Sequence, residues 1–265
     1  MTLRVRWLLT MGWLGAWMPL AMAQTLPALP QAQAIPAPGE ASEAPYAPRA
    51  ILQGGIVVPL YPPGSPFLKM DRVREAEKYN MSQTVAGRIG SIVNIHNPSI
   101  EVHRVDRGIN MGAVVIQVAG GGHRTLNVGT EGADFVPYFY NFGVSTVILR
   151  NRLRSDGYDA QTDAVFDALQ AIRMVRAYAG QWDFDPNKIG IMGFSAGAEL
   201  ASAAAVQYAD FDKTNSAAGD ALAGVSSRPD FGNYLSGPDA VRAEPDGTGN
   251  SGGCAAGVPG DGGIG

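Results

Sequence analysis

Short, almost uninterrupted apolar runs alternate with longer amphipathic stretches through the middle of this chain. Residues 113–118 (AVVIQV) form such a run, the pattern of a strand covered on both faces. Residues 145–149 and 188–192 repeat it. Between them the spacing predicts a helix near 130–142 and a longer one over about 160–179. In the longer one Ala164, Val165, Ala168, Leu169, Ile172 and Val175 make one stripe. Residues 198–206 are rich in good helix formers. Strand, helix, strand, helix, strand, helix predicts an α/β fold, a mixed, mostly parallel sheet with helices on both faces. Upstream, 89–95 and 99–104 alternate only in part and are separated by Asn97-Pro98, so they are expected to pair as an antiparallel hairpin at a sheet edge. The aromatic group Tyr138, Phe139, Tyr140 and Phe142 is read as core and helix surface rather than as a substrate platform.

Candidate chemistry enters where the last of these strands meets its helix. Gly193-Phe194-Ser195-Ala196-Gly197 has the G-x-S-x-G form, with the turn Asp185-Pro186-Asn187 and a strand before it and a helix after it. A serine at such an apex is held in a strained conformation that lifts its hydroxyl out of the sheet. Side chains two residues to either side would collide across the turn. The first N–H groups of the following helix face the place where negative charge develops in acyl transfer. A second feature is Gly120-Gly121-Gly122, which follows the 113–118 strand and lets backbone N–H groups approach a ligand closely. Taken alone, a glycine triplet reads first as a flexible turn. All three histidines, His96, His103 and His123, precede Ser195, whereas the usual order in such hydrolases is Ser, then Asp or Glu, then His. His96 beside a turn and His103 on an edge strand are expected to be solvated.

The ends of the chain differ in character. Residues 1–23 combine a basic start at Arg4 and Arg6, an apolar run over 7–20 and the small-x-small site Ala21-Met22-Ala23, as a cleaved secretory signal does. As a helix that run would reach about 21 Å, short of a ~30 Å hydrocarbon core. Residues 24–50, dominated by Ala, Pro and Gln, are expected to form an extended linker. The hydrolase domain is expected over 51–235 and a disordered Gly-rich tail over 236–265. A net charge of −4 with scattered basic residues gives no footprint for nucleic acid. The single Cys254 permits no internal disulfide, so an exported domain would have to rely on its core.

Together these residues resemble the secreted α/β-hydrolase esterases that include acetyl-xylan and feruloyl esterase-type enzymes, in the branch often labelled xylanase-like. The resemblance runs from about Ile51 to Asp230. It is carried by Asn97-Pro98-Ser99-Ile100-Glu101, Gly120-Gly121-Gly122-His123-Arg124, Ala168-Leu169-Gln170-Ala171-Ile172-Arg173, Asp185-Pro186-Asn187-Lys188-Ile189, the elbow, and Ser226-Ser227-Arg228-Pro229-Asp230. It implies Ser195 as nucleophile and an oxyanion hole formed by the N–H groups of Gly121, Gly122 and Ala196. His123 takes a loop position that is not the place of the catalytic histidine. Asn151 and Ala198 stand where the family often has Tyr and a third Gly. After Asp230 the family continues with a strand, a Gly-Asp turn carrying the acid and a loop carrying the histidine. Here that pattern gives way to the Gly-rich tail, as in a truncation or a change of reading frame, and Asp230 itself reads as structural.

The resemblance implies carboxylic-ester hydrolysis on a small-molecule or polysaccharide ester, acetylated or feruloylated. No metal, organic cofactor or nucleic acid is expected, nor any membrane attachment after signal cleavage, and the location is expected to be secreted or periplasmic. Two alternatives accompany that reading: an inactive or merely binding hydrolase remnant, and a serine peptidase of the same fold.

Overall fold

Strand β1 (Ile56–Pro59) opens a sheet that positions everything below it. In this computed structural model, which describes residues 44–214 and 221–235, seven more strands follow. They are β2 (Lys78–Met81), β3 (Ile89–Val93), β4 (Ser99–His103), β5 (Val114–Val118), β6 (Ser145–Arg150), β7 (Ile189–Phe194) and β8 (Phe231–Leu235). The α-helices are α1 (Phe135–Tyr140), α2 (Asp163–Ala177) and α3 (Ala196–Thr214). The expected signal (1–23) and the expected tail (236–265) lie outside the described residues, as does most of the expected linker. Of that linker, Ala47 is buried, and the Tyr46 N–H donates to the Val73 carbonyl at 2.8 Å.

The main sheet has the order β1-β4-β6-β5-β7-β8. β5 pairs in parallel with both β6 and β7, and β7 with β8, while β1 and β4 add antiparallel pairs on the other flank. This is the mixed, mostly parallel sheet that the sequence pattern predicts. Successive strand residues point to opposite faces, and the two faces carry different cores. Val147 and Leu149 of β6 join a large cluster with α2 and α3, including Ala168, Leu169, Ile172, Leu200 and Ala201. Ile148 between them faces a smaller cluster with Ile92, Leu126 and Val128, against which Val136 of α1 packs.

The expected hairpin of 89–95 with 99–104 does not form. β3 pairs with β2 in a separate two-stranded sheet, while β4 lies inside the main sheet between β1 and β6. The chain leaves β3 through Asn94, whose φ of 63° is left-handed, and does not double back on itself. Four of the five β4 residues are buried, which an edge strand would not allow. The expectation of solvated histidines fails for the same reason. His96 is only 1 % exposed, bonded to the Tyr158 hydroxyl at 2.9 Å and to Asn94 Oδ1 at 3.0 Å. His103 bonds Glu101 Oε1 at 2.8 Å, inside a cluster where Arg150 also meets Glu101 at 2.7 Å.

Candidate active site

β5 is the strand at which the connections reverse direction. The chain passes from β5 to β6 on one side and then to β7 on the other. In open α/β sheets, ligands bind in the crevice beyond the carboxyl ends of the strands at such a reversal. Val118 ends β5 in register with Gly193 of β7, so the segments after both strands emerge side by side. Those segments are Ala119–Gly122 and Ser195.

Ser195 lies between β7 and α3, exposed, with a left-handed φ of 49°. For a non-glycine residue that conformation costs roughly 1–3 kcal/mol and persists only where its surroundings impose it. The surroundings here are tight. A Cβ at Gly193 would strike the Gly197 carbonyl, and one at Gly197 the Val118 carbonyl. Gly120 is equally confined, since its Cβ would run into the Phe194 carbonyl and lie 3.0 Å from Ser195 Cβ. The glycine turn and the serine therefore touch.

The backbone of that turn is braced at one residue and open at the next two. The Gly120 N–H donates to Glu131 Oε2 at 2.6 Å, and its carbonyl accepts from the Asn127 N–H at 3.0 Å. The N–H groups of Gly121 and Gly122 have no hydrogen-bond partner among the described residues, and neither has that of Ala196 at the start of α3. Ser195 N–H is not available in the same way, since it donates to the Leu235 carbonyl at 2.8 Å. All three N–H groups singled out in the sequence are thus free to donate.

Two residues here have a bracing role that the sequence reading missed. Glu131 sits in a single π-helical turn (Gly129–Ala133) and reaches back to hold Gly120, a contact that no spacing in the sequence announces. His123 is 8 % exposed with a left-handed φ of 58°, and its Nε2 lies 3.0 Å from Glu199 Oε2, one turn into α3. This pair fastens the glycine turn to the helix that follows Ser195. Asp230 accepts from the Ile189 N–H and from Arg176 Nη2, both at 2.9 Å, so it anchors the entrance to β8 at the far end of β7.

Phe194, within the elbow, packs at a tilt against Phe135 of α1 with ring centroids 5.0 Å apart, and from there Tyr138 and Phe142 continue outward. No residue of α1 is buried, so this aromatic group is helix surface and not core. Among the described residues no group of three or more His, Cys, Asp or Glu side chains could hold a metal ion, and no helix is long and apolar enough to cross a membrane.

Residues 104–224 match the model of the BD-FAE family. An acetylxylan esterase of Xylanibacter ruminicola is 35% identical over 91 residues, which are 34% of this chain and 18% of that protein. Among solved structures, an acetyl ester-xyloside bifunctional hydrolase from Caldicellulosiruptor lactoaceticus aligns at 24% identity and TM-score 0.49, over 66% of this chain and 54% of its own. A thermophilic esterase of the planctomycete Thermogutta terrifontis, with butyrate bound, aligns at 25% identity and TM-score 0.43, over 52% and 48%. The chain spans about half the length of these structures and under a fifth of the curated relative. Residues 104–224 are thus similar to the BD-FAE family, and a 91-residue stretch to an acetylxylan esterase, in keeping with the resemblance read from the sequence.

Proposed function

We propose that this chain is a carboxylic ester hydrolase in which Ser195 is the nucleophile and the N–H groups of Gly121, Gly122 and Ala196 receive the oxyanion. One observation carries the reading. An exposed, left-handed serine abuts a glycine turn whose next two N–H groups have no described partner. Ser195 Oγ would attack the acyl carbon, the carbonyl oxygen would gather negative charge against those donors, and the alcohol would leave to give an acyl-serine. Water then releases the acid. Donors of this kind act by being in place before the charge appears, and each contributes about 10²–10³ in turnover.

Removing the serine proton is the weak step. No histidine follows Ser195 in these 265 residues, and none of the described histidines bonds to it. With solvent water as the acceptor, an oxyanion hole and binding together leave roughly 10³–10⁴-fold acceleration over water. The proposal is therefore slow ester hydrolysis, with acetyl esters of polysaccharide as the substrate class that the acetylxylan esterase relative suggests and feruloyl esters as the one the sequence resemblance adds. A non-catalytic remnant is the second reading, favoured by the lack of a base bonded to Ser195 among the described residues. Hydrolysis of p-nitrophenyl acetate, compared with Ser195→Ala and with an aminoacyl anilide, separates the possibilities. Ester turnover lost in Ser195→Ala supports the proposal. Anilide cleavage alone would make the chain a peptidase, and no serine-dependent turnover would leave the remnant.

A further inference from the structure

Beside the glycine turn the surface sinks into a hollow of about 570 Å³ lined by Gly121, Gly122, Arg124, Arg154 and Ser155. Its walls belong to two segments tied to each other. The Ser155 N–H donates to the His123 carbonyl at 3.3 Å and its hydroxyl to the Arg124 carbonyl at 3.0 Å. Arg124 and Arg154 thus hang from one braced frame, and both are exposed.

Several surface arginines of this protein have carboxylate partners, among them Arg72 with Glu75, Arg88 with Asp134, Arg107 with Asp183 and Arg176 with Asp230, whereas exposed Arg49 and Arg228 have none among the described residues. Arg124 and Arg154 form no ion pair with any described residue. No acidic side chain lines the hollow, and four from neighbouring segments bond elsewhere. Glu131 accepts from Gly120, Asp134 from Arg88, Asp156 from the Ile95 N–H, and Glu199 meets His123. Two guanidinium groups therefore line a hollow with no described counter-ion, one residue away from the glycine that touches Ser195.

We infer that Arg124 and Arg154 form an anion subsite of the Ser195 site, and that the preferred ester carries a carboxylate. This rests on reading Ser195 as the acyl acceptor. A guanidinium presents a planar fork of donors that matches a carboxylate in two parallel hydrogen bonds, which makes a carboxylate the fitting ligand class. The charge could sit on the acyl part, as in a dicarboxylic half-ester, or on the alcohol part, as in an acidic sugar. Because the hollow is open to water, the attraction is screened by salt, and its effect should be on the order of tenfold.

The test uses matched probes on the whole chain. Monomethyl succinate and dimethyl succinate are titrated while the amide signals of Gly121, Gly122 and Ser155 are followed by NMR. The expected result is saturable binding of monomethyl succinate at least about tenfold tighter than of its neutral partner. That preference should be lost in the Arg124→Gln/Arg154→Gln double variant and weakened at high salt. Equal binding of the two, or a preference unchanged in the double variant, overturns the subsite. Hydrolysis of p-nitrophenyl hydrogen succinate against p-nitrophenyl methyl succinate, and of 4-acetoxybenzoate against phenyl acetate, locates the charge on the acyl or the alcohol side. Anion binding with no ester turned over would sink the esterase reading and support the subsite. Turnover without charge preference would do the reverse.

Discussion

At the scale of single residues, Ser195 is where stability and chemistry oppose each other. Its left-handed φ of 49° suits glycine better than serine. Ser195→Gly should raise stability by about 0.5–1 kcal/mol, after allowing for the greater freedom of glycine in the unfolded chain. The same change removes the proposed nucleophile. Urea denaturation of both proteins, with hydrolysis followed alongside, checks the two effects together. The opposite holds at Gly197, whose Cβ would strike the Val118 carbonyl. Gly197→Ala should cost about 1–3 kcal/mol, as overpacking does, and a variant as stable as the parent would show that the turn is looser than described. Much of this was legible beforehand. The glycines at 193 and 197 and the serine between them announce a tight turn, because only small residues fit it. Glu131 and His123 were not legible as braces, since each bonds across the fold to a partner that no local pattern identifies, Gly120 and Glu199 respectively.

Among the elements, β4 is where the sequence misleads and where the buried electrostatics gather. From the sequence it reads as an edge strand with His103 in solvent. In the folded chain Glu101 is fully buried, and its carboxylate accepts from Arg150, His103 and the N–H groups of Ile51 and Leu52. Polar residues on a strand signal solvent only when no charge partner waits in the neighbouring element, and Arg150 of β6 is such a partner. Burial raises the Glu101 carboxyl, but the hydrogen bond from His103, the Arg150 guanidinium and the two backbone donors outweigh it and hold it below its ordinary value of 4.5. A carboxyl lowered by folding contributes stability that is complete above its unfolded value and fades as pH falls through its folded one. The nearby Glu77 works in the opposite sense, because burial raises its carboxyl and ionising it in the folded state costs stability. Glu101→Gln leaves Glu77 in place. It should destabilise by about 3 kcal/mol at neutral pH and flatten the fall in stability below pH 4.5. Acid titration of the unfolding free energy in the two proteins tests it, and parallel acid limbs would contradict it. Gln117 in the middle of β5 gives a prediction of the other sign. Both its amide atoms are buried without a hydrogen bond to a described residue, so Gln117→Met should stabilise by about 1 kcal/mol or more.

For the whole molecule, the alternation of apolar runs and amphipathic helices was enough to give the class of the fold, because a strand buried on both faces can lie only inside a layered sheet. The order of the strands and the separate β2–β3 sheet were not legible, since they depend on pairings between distant segments. At one flank of the main sheet every residue of β8 is exposed, including Phe231, Tyr234 and Leu235. Among the described residues no strand pairs with the outer side of β8, and an edge of this kind invites pairing with another chain. Self-association at raised concentration is expected, and Tyr234→Lys should suppress it. Sedimentation velocity across a concentration series would reveal a monomer throughout if that expectation is wrong. The arrangement at the other end of β7 carries the central claim, that Ser195 accepts an acyl group beside the glycine turn. Without a described histidine bonded to the serine, loss of the acyl group should be slow as well as its transfer, so the acyl-enzyme should accumulate. The direct measurement is peptide mapping by mass spectrometry after incubation with p-nitrophenyl acetate. A single acetyl group on Ser195, absent in Ser195→Ala, is the predicted result, and acetylation scattered over lysines with Ser195 unmodified would contradict it.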